Sequence, residues 1–427
     1  MTCLCGIDYR IACDSLVALG NSTHSGDVLF AKNSDRPAFE CQPLVQLPAR
    51  RGLAGTSVHC TYIEIPEADE TARVIGSKPF WCWGFEHGLN EHAVAIGNHT
   101  VFTKDELSGL GLIGMDIVRL GLERGKTAKH ALEEMTHLIE THGQGGSGYQ
   151  DKDWAYHNSF LVADRSSAYL LETSANRWAV REVVDIASAS NHLTIGSTWT
   201  ALSDGIIEHA VERGWWDADG NDRFDFARAY RDTSVVPEVV SSGRHRRTCR
   251  LLEEARGDVS IESLKRSLRD HYDLPAPGAG CTPMDPQYFS VCMHAEPVGT
   301  TTASMVASLP RSRNEPPLYF ASLGSPCVGA FIPLFVEADI PGVLARSSEH
   351  PSEDSPWWQL KQLLVQVERD WSRHAPRVRA EMDRFEIRAE RAAKGVAGAG
   401  PEVKTALMQG GVTELLELVG RLRREIS

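Results

Sequence analysis

Short runs of alternating apolar and polar residues fill the first quarter of the chain, a period of two that predicts β-strands. Residues 12–19 read as one strand with Cys13 near its start. A polar turn over 21–26 reverses the chain, and an apolar run from Val28 ends in Lys32-Asn33-Ser34-Asp35-Arg36. The two runs are nearly equal in length, so antiparallel pairing returns the end of the second to the start of the first and places Lys32 and Asp35 near Cys13. Further strands are predicted over 42–47, 58–65 and 89–101. The period then changes to helical at 110–124 and 128–142, with Thr127 as N-cap and Gly143 as the stop. A Gly-rich loop at 144–149 precedes a second group of strands at 158–163, 168–173, 178–183 and 189–195. Helices follow at 205–213, 246–256 and 261–272, and strands return at 290–294, 302–309 and 318–323. Proline punctuation at 351–356 introduces a long charged helix over 357–393 and a last helix over 403–424. Leu360, Leu363, Leu364 and Val367 form a stripe that must be buried, either on the body of the chain or against a second copy in a homodimer. This order of elements describes an α+β protein.

Composition narrows the classes. The chain has 427 residues, 42% of them hydrophobic and 24% charged, enough for a large core and unlike a disordered chain. A net charge of −13, with no stripe of Lys and Arg, argues against a nucleic-acid partner. No apolar run approaches the roughly 20 residues that span a bilayer, so no membrane association is expected. Residues 1–12 carry Asp8 and lack the basic start and apolar stretch of a secretory signal, which makes the cytoplasm the expected location. The 10 cysteines follow no regular spacing, as reduced thiols would. Cys3-x-Cys5 lacks partners at zinc-ligand spacing, and neither a metal nor a cofactor is expected.

A second dense block runs Phe80-Trp81-Cys82-Trp83-Gly84-Phe85-Glu86-His87-Gly88-Leu89-Asn90-Glu91-His92-Ala93-Val94-Ala95-Ile96-Gly97-Asn98. Together with the Cys13 strand and the Phe30-Ala31-Lys32-Asn33-Ser34-Asp35-Arg36 strand end, it resembles the secernin-like dipeptidase family of N-terminal-nucleophile hydrolases. It is more distantly similar to penicillin V acylases and bile-salt hydrolases. The resemblance covers roughly residues 13–335. It implies a four-layer αββα sandwich at 13–345, a leader at 1–12 that is removed, and a helical extension at 355–427 outside the chemistry.

Cleavage before Cys13 would give that residue a thiol and a free α-amine. An α-amine titrates at about 7.7–8.0 and can accept the thiol proton, so one residue supplies nucleophile and base. The resemblance gives Asp35 the task of holding that amine, and Asn98 and Asn191 the task of donating to the oxyanion, for which a carboxamide NH₂ is suited. It gives a helix-start arginine to the site, with Arg247 the match and Arg246 its rival. Lys32 stands where the acylases have arginine, and a cation there favours thiolate. Trp81 and Trp83 are expected to wall the substrate pocket, and Glu86 to meet a substrate amine. Cys292 and His294 are expected to pack or line the pocket, and His87 and His192 have no evident partner. The activity implied is hydrolysis of a dipeptide or other small amide through a thioester. The alternatives are an acylase acting on an N-acyl compound, which would have a pocket with no charge for a substrate amine, and a binding protein that keeps the fold without catalysis.

Overall fold

The protein is described by a computed structural model over residues 13–426, apart from 108, 218–219, 221, 236–237, 283–284 and 297–298. The expected leader at 1–12, with Cys3 and Cys5, lies outside the described residues. The strands Asp14–Ala18 and Val28–Arg36 pair antiparallel, with Ser15 opposite Lys32 and Val17 opposite Phe30. Both lie inside a seven-stranded sheet, between the strands Ile186–Ala189 and Gly299–Leu309, and every residue of both is buried. Their two faces meet different partners. Val17 and Phe30 enter a core shared with the second sheet, whereas Leu16, Ala18, Leu29 and Ala31 pack on Leu264 and Leu268 of the helix Ile261–Leu268.

The second sheet has eight strands and includes His87–Asn90, Ala95–Val101 and His157–Ala163. Its outer face is covered by the helices Gly114–Arg124 and Ala128–His142, whose Ile117, Val118, Met135, Leu138 and Ile139 pack on Ile96, Phe160 and Val162. Two antiparallel sheets lie face to face with helices outside each, the αββα order expected of an α+β chain of this kind. Thr127 caps its helix through the His130 amide, and Gly143 ends it at φ 68°, both at the predicted positions.

Several predicted elements divide or move. The strand predicted over 89–101 is two strands, His87–Asn90 and Ala95–Val101, joined by a tight turn with Ala93 at φ 66°. Asn90 makes that turn: its Oδ1 accepts from the amides of His92 and Val94, and its Nδ2 donates to the carbonyls of Leu122 and Gly125. The run at 58–65 folds back on itself as Ser57–His59 and Glu64–Pro66. The strand predicted at 189–195 lies earlier, at Ile186–Ala189, and joins the first sheet beside Asp14–Ala18 rather than continuing the second. The long tail helix breaks into Pro356–Glu368 and Trp371–Gly395, because the Asp370 side chain accepts from the Arg373 amide and starts a new helix. The stripe Leu360, Leu363, Leu364 and Val367 is buried within the chain, in one core with Leu415, Val419 and Leu422 of the helix Pro401–Glu425 and with Leu334 of the first sheet.

Candidate active site

Cys13 sits at the head of the first strand and is 3% exposed. Its φ is 140°, a region that non-glycine residues rarely occupy and that carries backbone strain. Strand parity turns its thiol, with Ser15 and Lys32, toward the second sheet. There Glu86 Oε2 lies 3.8 Å from the Cys13 Sγ and 3.8 Å from the Lys32 Nζ. Arg36 approaches the other oxygen of Glu86 at 3.5 Å and binds Glu40 at 2.6 Å. Glu86 is thus engaged by two cations inside the fold rather than held out for a substrate amine. Lys32 can lie flat between the sheets because Gly97 faces it; a Cβ at Gly97 would stand 2.4 Å from the Lys32 Cδ. Burial pushes the Cys13 thiol up to about 11; Lys32 opposes this, and the charges of Glu86 and Asp35 add to it. In the uncut chain the group is therefore a protonated thiol near neutral pH.

The opposite face of the hairpin carries a second buried network. Arg244, 1% exposed, donates to Asp14 Oδ2 at 2.7 Å, to Asp35 Oδ2 at 3.3 Å and to Asn191 Oδ1 at 2.5 Å. Asp35 also accepts from the Thr301 hydroxyl at 2.5 Å. That contact is made where the strand Gly299–Leu309 bulges between Thr301 and Ala303, so the ladder brings Thr301 onto Asp35 and leaves Thr302 out of register. Burial raises the Asp35 carboxyl to about 7, against the pull of Arg244 and with the push of Asp14. One guanidinium shared between two buried carboxylates does not offset the desolvation of Asp35.

The arginine brought to this network is Arg244, not Arg247. Arg247 is bound to Asp270 and Asp273, and Arg246 donates to the Ser242 hydroxyl. The helix turns about 100° per residue, so a shift of three positions keeps nearly the same face while moving almost one turn along the axis. Asn191 donates its Nδ2 to the Thr100 carbonyl at 2.9 Å. Asn98, with its carboxamide oriented to satisfy its surroundings, donates to the Glu86 carbonyl at 3.0 Å and to Glu86 Oε2 at 2.7 Å, the same oxygen that faces Cys13. Both asparagines are buried and fixed by these contacts.

Of the two tryptophans, Trp81 donates to Glu40 at 3.2 Å and so joins the Arg36–Glu40–Glu86 chain. Trp83 instead lies under Arg119, 3.7 Å from its guanidinium carbon, and packs against the outer helix core. Residues that the sequence reading left out include Asp14, Arg36, Glu40, Thr301 and His99. The His99 Nε2 contacts the Ser15 hydroxyl at 2.7 Å and its Nδ1 contacts the Ser159 hydroxyl at 3.2 Å, linking the two sheets beside Lys32. Asp14 and Arg36 adjoin residues already singled out, which was the available signal for both; Thr301 and His99 become visible only through sheet pairing. His87, without an evident partner in the sequence, contacts the Tyr319 hydroxyl at 2.9 Å.

No family model matches the chain. Among solved structures the chain is similar to penicillin V acylase from Agrobacterium tumefaciens, with 13% identity, 75% of this chain and 86% of that chain covered, and a TM-score of 0.42. It is similar to conjugated bile acid hydrolase from Clostridium perfringens, with 11% identity, coverages of 73% and 89%, and a TM-score of 0.40. It is also similar to the Caenorhabditis elegans N-acylethanolamine-hydrolyzing acid amidase orthologue, with 9% identity, coverages of 70% and 94%, and a TM-score of 0.34. Likenesses at this level carry no chemistry; the side chains around Cys13 have to supply it.

Proposed function

We propose that the chain is a cysteine hydrolase of amide bonds that acts through Cys13 as an N-terminal nucleophile. The observation that carries this reading is the convergence on one residue. A buried, backbone-strained Cys13 lies at a strand head between the Lys32–Glu86–Asn98 group on one face and the Asp14–Asp35–Arg244–Asn191 group on the other. Structural cysteines need no such surroundings.

Maturation begins with attack of the Cys13 sulfur on the Ala12 carbonyl. The C–N bond breaks, the nitrogen takes up the thiol proton, and a thioester forms. Water hydrolyses it, leaving a carboxylate on Ala12 and a free thiol and α-amine on Cys13. In turnover the α-amine accepts the thiol proton as sulfur adds to the substrate carbonyl. An Asn98 N–H, released from Glu86 as the substrate enters, stabilises the resulting oxyanion, the protonated amine donates to the leaving nitrogen, and water releases the acid from the thioester. Asp35 holds the α-amine by charge and hydrogen bonding.

The substrate class in this reading is a dipeptide or other small amide, met inside a reducing compartment where thiols stay free. One observation favours the N-acyl alternative: Glu86 is already bridged to Lys32 and Arg36, so it does not offer an uncommitted carboxylate to a substrate's free amine. The test is intact mass together with activity on paired substrates, free dipeptides and their N-acyl counterparts. The mature protein should begin at Cys13, and Cys13→Ala should keep residues 1–12 and lose at least about 10³-fold in kcat. Full amidase activity in protein that still carries residues 1–12 would overturn the proposal.

A further inference from the structure

His271, Cys292, His294 and Cys327 come from three separate segments, yet their ligand atoms all lie within 4.8 Å of one another. His271 follows the helix Ile261–Leu268, Cys292 and His294 flank the entrance to the strand Gly299–Leu309, and Cys327 lies in the turn after Leu318–Leu323. The His294 Nε2 is 3.6 Å from the Cys292 Sγ and 3.2 Å from the Cys327 Sγ. Zinc bound tetrahedrally by thiolate at about 2.3 Å and imidazole at about 2.0 Å sets a sulfur-to-nitrogen edge of about 3.5 Å. The group is already near that spacing.

Two further observations point the same way. The His294 Nδ1 contacts Glu368 Oε1 at 2.8 Å, the carboxylate–histidine pairing that fixes which ring nitrogen is left to face a metal. The His271 ring is hydrogen-bonded to the Cys327 sulfur, so both imidazoles already address that ligand. Trp371 stands edge-on to both imidazoles, 5.6 and 5.7 Å between ring centres, and shields them on one side. The two cysteines are free thiols.

We propose that His271, Cys292, His294 and Cys327 bind one zinc ion in a closed, structural site. Two thiolates and two imidazoles in a tetrahedral arrangement suit zinc over the hard cations. Such a site would tie the break between the helices Pro356–Glu368 and Trp371–Gly395 to the first sheet, through Glu368 and Trp371. It also braces the hairpin, because the carbonyl of Val291, next to Cys292, accepts from the Asn33 Nδ2 at 2.8 Å. A closed four-ligand site leaves no position for substrate, so its part is to hold the fold.

The full-length protein, purified without chelator, should contain about one zinc per chain by plasma mass spectrometry. Cys292→Ser and His294→Gln should each lower this to a small fraction. Glu368→Gln should keep the metal but weaken it about 10- to 100-fold in competition with a chromophoric chelator. Should the ligand variants fail to fold, wild-type protein stripped of metal and titrated with Co²⁺ alone still decides. Tetrahedral d–d bands with a thiolate-to-cobalt charge-transfer band, saturating at one equivalent, support the site. Wild-type protein that is metal-free as purified and takes up no Co²⁺, or that carries a Cys292–Cys327 disulfide by mass, would overturn it.

Discussion

Trp357 donates its indole N–H to the carbonyl of Thr302 at 2.8 Å, so the first helix of the C-terminal extension touches the bulge beside the Thr301 hydroxyl that holds Asp35. The sequence places the extension outside the chemistry, packed on the body of the chain or against a second copy. Its contact with the bulge makes it a support of the site as well. Trp357→Phe keeps most of the buried ring and deletes this donor, leaving a buried carbonyl short of a partner. A loss of roughly 1–2 kcal/mol in stability is expected, with a fall in kcat. Chemical denaturation and turnover on the same preparation check both, and an unchanged kcat at the lower stability would confine Trp357 to packing.

Asp35 supplies a dependence on pH. Its carboxyl is raised from 3.8 to about 7 in the fold, so between those values the folded state binds a proton that the unfolded chain has released. The stability this contributes is fully present below about pH 4 and is lost as the pH rises through about 7. Asp35→Asn cannot titrate. The urea midpoint of the variant should therefore gain on that of the wild type between pH 5 and pH 8. A constant difference across that range would show that Asp35 ionises normally.

Arg244 and Arg247 separate the two assignments of the helix arginine. Arg244→Ala leaves Asp14 and Asp35 buried without their cation, a change on the order of 3–5 kcal/mol. Arg247→Ala breaks a pair with Asp270 and Asp273 that does not touch the Cys13 network. Melting temperature and amidase rate should both fall much further for Arg244→Ala. Equal losses would return Arg247 to the site.

Asn98→Ala removes the donor to Glu86 and the carboxamide proposed for the oxyanion. One preorganised donor of this kind is worth about 100-fold or more in kcat. The measurement is steady-state kinetics, where the loss should fall on kcat more than on KM. A rise in KM alone would make Asn98 a binding residue.

Much of this arrangement was legible in the chain because it depends on local periodicity. The two runs of near-equal length on either side of a polar turn predicted the hairpin that places Lys32 and Asp35 near Cys13, and the helical spacing at 110–142 predicted the pair of helices. What could not be read depends on where long-range pairing places a side chain. Arg244 and Arg247 occupy one helix and differ by less than a turn, so only the docked helix decides which of them meets Asp14. Glu86 stands out in the sequence as a candidate for meeting a substrate amine but not as the partner of Lys32 and Arg36, since that requires the two sheets to face each other. Cys292 and His294 are adjacent in pattern, but His271 and Cys327 join them only across the turns that bring three segments together. The break at Asp370 was hidden because a charged helix and a charged cap share the same residue types.

The φ of 140° at Cys13 has a consequence for the direction of maturation. A dihedral about the N–Cα bond is defined by the carbonyl carbon of the residue before, and a chain terminus has no such carbon. Once the bond to Ala12 is cut, the contact that made the conformation unfavourable no longer exists. Rejoining the two ends would have to recreate it, at about 1–3 kcal/mol for a residue of this kind. That is a bias of roughly five- to 150-fold against religation, so the proposed processing acts as a ratchet that does not depend solely on the released segment diffusing away.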